Sequence, residues 1–358
     1  MTGERVFTAV HIVVTGASGN VATALLRVLR RENWRVTGVA RHRPDGPPYD
    51  RADWVTCDIG ERGAVGRLAE LFEGADAVVH LAWAIHPERE DPPMHRTNVS
   101  GTENLLAAMA KAHVPHLVAA SSVAAYEAPH RWARVDENWP RQGIPASAYS
   151  RGKVVLERML DEFEARQPEV TVARLRPCAI LQHDAGSEFA RWTLSPLLPK
   201  SLLGRRWLPL PWWTGLRAQV VHAADVAAAI RAIVARGAGG AFNLAAEPVL
   251  TGAQLARPFG GGPRIPVPRG PSRAGAWLGW RLGLQPLHPG WLALADQAAL
   301  VDTDRARRVL GWRPEHDAHE VLAEMAAGLR TGAAVDSHPL RPLDRGPHVG
   351  RPTHQSQG

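Results

Sequence analysis

The stretch Val10-His11-Ile12-Val13-Val14-Thr15-Gly16-Ala17-Ser18-Gly19-Asn20-Val21-Ala22-Thr23-Ala24-Leu25-Leu26-Arg27-Val28-Leu29 reads as strand, tight turn and helix. A β-branched run stops at Gly16, and a helical pattern begins by Val21. Gly16 permits the turn, Gly19 lets the backbone approach a pyrophosphate, and Ala22 lets the helix pack closely on the strand, so that the helix N-terminus faces the phosphates. A purely structural strand-to-helix corner is the competing reading, because small residues at turns are common.

The 358 residues, 45% hydrophobic and 22% charged, suit a globular protein of one large or two modest domains. Cys57 and Cys178 are the only cysteines, too few for a disulfide framework or a cysteine-built zinc site, so no metal site and a cytoplasmic location are expected. No apolar run approaches the ~20 residues a spanning helix needs. The net charge of +7 is strewn along the chain rather than gathered in one basic arm, so no nucleic-acid partner is expected. A homodimer is compatible with all of this and required by none of it.

Further strands are expected at Trp34 to Ala40, Trp54 to Cys57, Ala77 to Ala82, His116 to Ala120 and Val170 to Leu175, alternating with helices. Such alternation predicts an α/β fold with a doubly wound parallel sheet over residues 1–177. At the end of the second strand no acid stands ready for the ribose 2′-hydroxyl of NAD. Arg41 and Arg43 would instead suit the 2′-phosphate of NADP, or form a solvated basic loop. Asp58 could accept from an adenine amino group, cap the helix carrying Leu68 and Phe72, or do both.

Beyond Pro177 the texture changes. Pro196, Pro199, Pro209 and Pro211 interrupt a stretch carrying Trp192, Trp207, Trp212 and Trp213. Residues 178–332 are expected to form a smaller substrate-binding lobe, with 218–245 returning to the sheet. Trp277 to Ala299, apolar but broken by Arg281, Pro286 and Pro289, fits a lid over a pocket, with an interfacial membrane contact as the minor alternative. From about 333 the composition offers almost nothing to bury, and a disordered tail over 333–358 is expected.

Tyr149-Ser150-Arg151-Gly152-Lys153 puts a phenol and an ammonium four residues apart on one helical face. A nearby positive charge lowers a tyrosine pKa toward neutrality, as acid–base work on a hydroxyl or carbonyl requires. Lys153 is one of only three lysines, and Ser122 lies at the end of the fifth strand, where a hydroxyl can hold a substrate oxygen.

These residues resemble the extended short-chain dehydrogenase/reductases, specifically the NAD-dependent epimerase/dehydratase group. The resemblance rests on Thr15 to Ala22, Asp58-Ile59, His80-Leu81-Ala82, Asn98 to Thr102, Ser121 to Tyr126, Tyr149 to Lys153, Arg176-Pro177, Val221-His222 with Asp225, Phe242-Asn243-Leu244, and Leu310 to Pro314. It implies a catalytic triad of Ser122, Tyr149 and Lys153, in which Tyr149 exchanges the proton, Lys153 tunes it and holds the nicotinamide ribose, and Ser122 orients the substrate oxygen. It further implies a cofactor site at Gly16, Ser18, Gly19, Asn20, Val21, Arg41, Asp58, Ile59, Leu81, Ala82, Tyr149, Lys153 and Pro177, where the arginines and the missing acid after Ala40 favour NADP over NAD. Nucleotide-sugar members usually follow the Arg-Pro pair with Asn and then Gly-Pro, where this chain has Ala179 and Gln182-His183. The arginine expected before the His222 strand is offset, with Arg217 the nearest. The expected function is therefore hydride transfer of epimerase/dehydratase type on an alcohol or carbonyl of a small-molecule substrate. The alternatives are an NADPH-dependent reductase of a hydrophobic ketone or aldehyde and, in another class, a non-catalytic dinucleotide sensor.

Overall fold

The computed structural model describes residues 9–85, 93–193, 205, 210–259, 262–284 and 288–342. Its centre is a seven-stranded sheet. In chain order the strands are β1 (His11–Thr15), β2 (Arg35–Ala40), β3 (Asp53–Thr56), β4 (Ala77–His80), β5 (His116–Ala120), β6 (Thr171–Pro177) and β7 (Gly240–Leu244). They lie in the order β7-β6-β5-β4-β1-β2-β3, and every pairing is parallel. Ile12 sits between Val36 of β2 and Ala77 of β4.

A parallel sheet covered on both faces needs strands apolar on both sides. β1 shows this at single-residue resolution, since Ile12 and Val14 enter one core and Val13 the other. The first core is closed by Leu25 and Leu26 of the Asn20–Val28 helix with Ile230 and Ile233 of the Ala223–Arg236 helix. The second is closed by Leu68 and Phe72 of the Ala64–Phe72 helix, Leu105 and Met109 of the Gly101–Ala112 helix, and Leu156 and Leu160 of the Ala148–Arg166 helix. The chain runs outward from β1 through β2 to β3, then crosses back to place β4 on the other side of β1. The carboxyl ends of β1 and β4 therefore flank the switch point where a doubly wound sheet opens its crevice.

The C-terminal lobe is smaller, and its third core joins Leu181, Val220 and Leu250 to Val321, Leu322 and Met325 of the Ala318–Thr331 helix. Two expectations are corrected here. Of the segment expected to return to the sheet, only β7 enters it. Val220–His222 pairs instead with Ala179–Leu181, the short strand that follows β6, in a separate two-stranded sheet.

The tail expected to be disordered from 333 is packed as far as the described residues extend, to 342. Leu340 is fully buried, Ala333 accepts from Ser187 N at 3.1 Å, and Arg191 donates to the carbonyls of Pro339 and Arg341. Asp45 N donates to Asp336 O, and His338 stacks on His42 with centroids 4.6 Å apart. Composition averages conceal one buried leucine in a polar stretch docked through its carbonyls. Ending the chain at 332 should therefore lower the melting temperature, and Leu340→Ala alone should cost about 2 kcal/mol or more. Thermal unfolding of the two variants checks this; unchanged transitions would restore the reading of a free tail. Residues 343–358, and Pro196, Pro199, Trp207 and Pro209, lie outside the described residues.

Candidate active site

The glycine turn closes against the end of β4. Gly16 has φ +69°, and a Cβ there would stand 2.6 Å from Ala82 Cα, so both the backbone conformation and the close approach require glycine. Gly16 N and Ala17 N donate to Val39 O at 3.0 and 3.2 Å, and Leu81 N donates to Thr15 O at 3.0 Å. Behind Gly19 the helix opens with no side-chain cap and no acidic residue in its first turn. Uncapped amides at a helix start, reached by a side-chain-free turn at the switch point, fit a pyrophosphate. Asn20, with its Nδ2 on Ile180 O at 3.4 Å and Gln182 Nε2 on its carbonyl at 3.0 Å, ties this turn to the strand after β6. Ser18 is buried in the turn and Val21 half-buried.

Arg41, Asp58 and Ile59 follow the carboxyl ends of β2 and β3. Arg41 is exposed just past β2. Asp58 Oδ1 accepts from Gly60 N at 2.9 Å and Oδ2 from Arg96 at 2.6 Å. It does not cap the following helix, which is preceded by Gly63. Ile59 turns its side chain into the core against Gly101, where a Cβ would stand 2.7 Å from its Cγ1, and its carbonyl accepts from Asn104 at 2.8 Å.

The three proposed catalytic side chains do converge. Ser122 Oγ accepts from Ala124 N at 3.1 Å and points toward Pro177 O at 3.5 Å. Tyr149 lies in the first turn of the Ala148–Arg166 helix, and the Ser122 side chain is the neighbour that acts to lower its pKa. Ser150 fixes that turn, its Oγ donating to Ala124 O and accepting from Ile144 N, both at 2.6 Å. Lys153 is buried, and its Nζ donates to Ala120 O at 2.7 Å. The same ammonium lies 3.5 Å from the centre of the Trp83 ring and 5.8 Å from that of Tyr149.

This geometry corrects the expected electrostatics. Burial raises the Tyr149 pKa, and the contact that opposes it is with Ser122 rather than Lys153. Burial also pushes the Lys153 pKa well below its ordinary value, against the pull of Glu157. Lys153 Nζ is seated on an indole and a carbonyl rather than on the phenol, and it is not among the groups that set the Tyr149 shift.

Sequence reasoning missed the aromatic box around Tyr149. Trp83 meets the phenol edge-on with centroids 6.5 Å apart, and Trp291, from the Pro289–Gln297 helix, lies at 5.2 Å on a tilt. Trp83 directly follows Leu81-Ala82, and that adjacency was the available signal; nothing local pointed to Trp291. A buried ionic network beneath the site was also missed. Glu157, one turn past Lys153, accepts from Ser121 Oγ at 2.6 Å, from Arg176 Nε and Nη2 at 2.8 and 2.9 Å, and from Arg141 at 3.1 Å. Arg176 reaches on to Tyr126 Oη at 2.9 Å, which donates to Asn243 Oδ1 at 2.7 Å. Burial alone would raise the Glu157 carboxyl, but the bonds and charge of Arg176 outweigh it and hold it at about 2. The network fastens the Ala148–Arg166 helix to the carboxyl ends of β5 and β6 and to β7. Arg217 is buried, donating to the carbonyls of Arg131 and Asp296.

Among the described residues no group of three or more His, Cys, Asp or Glu could hold a metal, and no helix is long and apolar enough to cross a membrane. The model of the NAD dependent epimerase/dehydratase family matches residues 12–245. The chain belongs to this family. A 3-diazoavenalumate denitrifying reductase of Streptomyces is 29% identical over 315 residues, covering 86% of this chain and 96% of that protein. An uncharacterized protein of Mycobacterium tuberculosis is 39% identical over 112 residues, but the match spans 31% of this family member and only 12% of that relative's length. The UDP-glucose 4-epimerase of Bifidobacterium longum, solved in complex with NAD+ and UDP, superposes with a TM-score of 0.66 over 90% of this chain and 98% of its own, at 16% identity. That likeness shows the shared fold.

Proposed function

We propose that this family member is an NAD(P)H-dependent reductase of a carbonyl on an apolar substrate, working through Ser122, Tyr149 and Lys153. The observation that carries the reading is the convergence of Ser122, at the end of β5, with Tyr149 and Lys153 of one helix, walled by Trp83 and Trp291. The bound cofactor would supply a hydride. Ser122 and Tyr149 would both donate to the substrate oxygen, and Tyr149, its proton retained by burial, would deliver that proton as the carbonyl carbon is reduced. Lys153, displaced from the Trp83 face, would offer its remaining donors to the nicotinamide ribose and supply the charge that helps the phenol let go. A wall of indoles excludes water and favours a flat or greasy substrate. The Streptomyces reductase, matched over nearly its whole length, supports reduction over epimerisation. The test is a screen of apolar ketones and aldehydes beside nucleotide sugars. Net NADPH consumption with a carbonyl supports the reading, whereas interconversion of a sugar nucleotide without net consumption makes the protein an epimerase.

The exposed Arg41 and the missing acid after Ala40 lead to a preference for NADP, the guanidinium pairing with a 2′-phosphate. Arg41→Ala should weaken NADP binding by roughly tenfold, the scale of one exposed charge-assisted contact, and leave NAD nearly unchanged. Calorimetric titration with both cofactors decides it; equal losses would remove Arg41 from the 2′-phosphate.

A further inference from the structure

From Pro248 to Ala295 the sequence holds five arginines and no acidic residue. At the centre of this stretch the Arg269–Arg281 helix buries none of its side chains. Among the described residues eight large hydrophobic side chains are exposed, and five of them, Ile265, Trp277, Leu278, Leu282 and Leu284, lie in this one stretch. Trp277 is 53% exposed, Leu278 52% and Leu282 61%. At 100° per residue, Trp277, Arg281, Leu278 and Leu282 occupy adjoining positions on one side of the helix, so a guanidinium stem can lie along the apolar strip while its head stays in water.

We propose that this helix docks on an anionic lipid bilayer, lying in the headgroup plane with Trp277, Leu278 and Leu282 inserted and Arg273 and Arg281 among the phosphates. Two observations choose the occupant. The face pairs an exposed indole and leucines with arginines, the composition of a helix resting at a lipid interface. A second copy of the chain is the competing occupant, but a twofold contact would set the same acid-free, arginine-bearing stretch against itself, and like charge opposes that. An anionic bilayer supplies an apolar layer and negative charge together. The side of the helix that carries Arg273 and Trp277 also borders a cavity of about 440 Å³ shared with the Pro289–Gln297 helix, lined by these two residues with His288 and Leu292. That second helix also carries Trp291 onto Tyr149, so the docked face adjoins the candidate active site; the docking itself does not rest on the proposed reaction.

The test is flotation of the full chain with phosphatidylcholine vesicles, with and without phosphatidylglycerol, at low and high salt. Binding should require phosphatidylglycerol, fall with salt, weaken roughly tenfold in Arg273→Gln/Arg281→Gln, and disappear in Trp277→Ser/Leu278→Ser/Leu282→Ser. The substituted side chains are exposed, so both variants should keep the wild-type circular dichroism and melting temperature, and sedimentation without lipid should show the same mass throughout. Absence of binding to anionic vesicles, equal binding to pure phosphatidylcholine, or undiminished binding by the triple-serine variant would each overturn the proposal. A dimer that the triple substitution dissociates would overturn it in favour of self-association.

Discussion

Tyr149→Phe should lower turnover by about 10²-fold or more, the usual scale for a positioned general acid, while cofactor affinity and melting temperature stay close to wild type. The ring would remain between Trp83 and Trp291, where its packing is made. Only the hydroxyl, which the Ser122 side chain neighbours, is lost. If Tyr149 merely packs against its neighbours, removing that hydroxyl changes little. Lys153→Met should differ in kind, impairing cofactor binding as well as turnover, because Nζ is assigned to the ribose and to the phenol together. A Tyr149→Phe enzyme with a full rate on a confirmed substrate contradicts the assignment.

Arg176→Met should destabilise the protein by about 3–5 kcal/mol, the range for stranding one partner of a buried ion pair. Arg176 and Glu157 are each almost fully buried, and the arginine supplies two of the carboxylate's hydrogen bonds. Removing it leaves a charge in the core with only Ser121, Arg141 and Arg174 nearby. The double variant Arg176→Met/Glu157→Gln should recover part of the loss, since no buried carboxylate is then abandoned. The pH dependence follows from the depressed carboxyl. The stabilisation from Glu157 is complete above its unfolded value near 4.5 and is lost as pH falls from there through about 2. Urea unfolding of the three proteins between pH 7 and pH 3 measures both effects; a single variant as stable as wild type would mean that the network carries no weight.

Wherever a buried strand had to be apolar on both faces, its position was legible in the sequence. β1 and β5 begin and end at the expected residues, and the return to the sheet at Gly240–Leu244 was readable from its own apolar run. Legibility failed where a partner distant in sequence decided the outcome. Val220–His222 has the look of another sheet strand, yet its partner is Ala179–Leu181. Leu340 is one leucine in a polar tail, and nothing near it announces the carbonyl contacts of Arg191 that dock its segment. In the site, the spacing of Tyr149 and Lys153 correctly brought phenol and ammonium onto one side of a helix, with Ser122 at the adjoining strand end. It could not say which neighbour would hold the ammonium. Trp83 and the Ala120 carbonyl do so, and burial raises the tyrosine pKa where a lowering was expected.

The measurement that bears most directly on hydride transfer through Tyr149 uses NADPH deuterated at the transferring position of the nicotinamide, with the carbonyl substrate that the screen identifies. Mass spectrometry of the product should find one deuterium on the former carbonyl carbon with the wild-type protein. The Tyr149→Phe protein, at the same cofactor occupancy, should yield about a hundredth of that label or less. Product without deuterium, or label formed equally fast by Tyr149→Phe, would contradict the proposed chemistry.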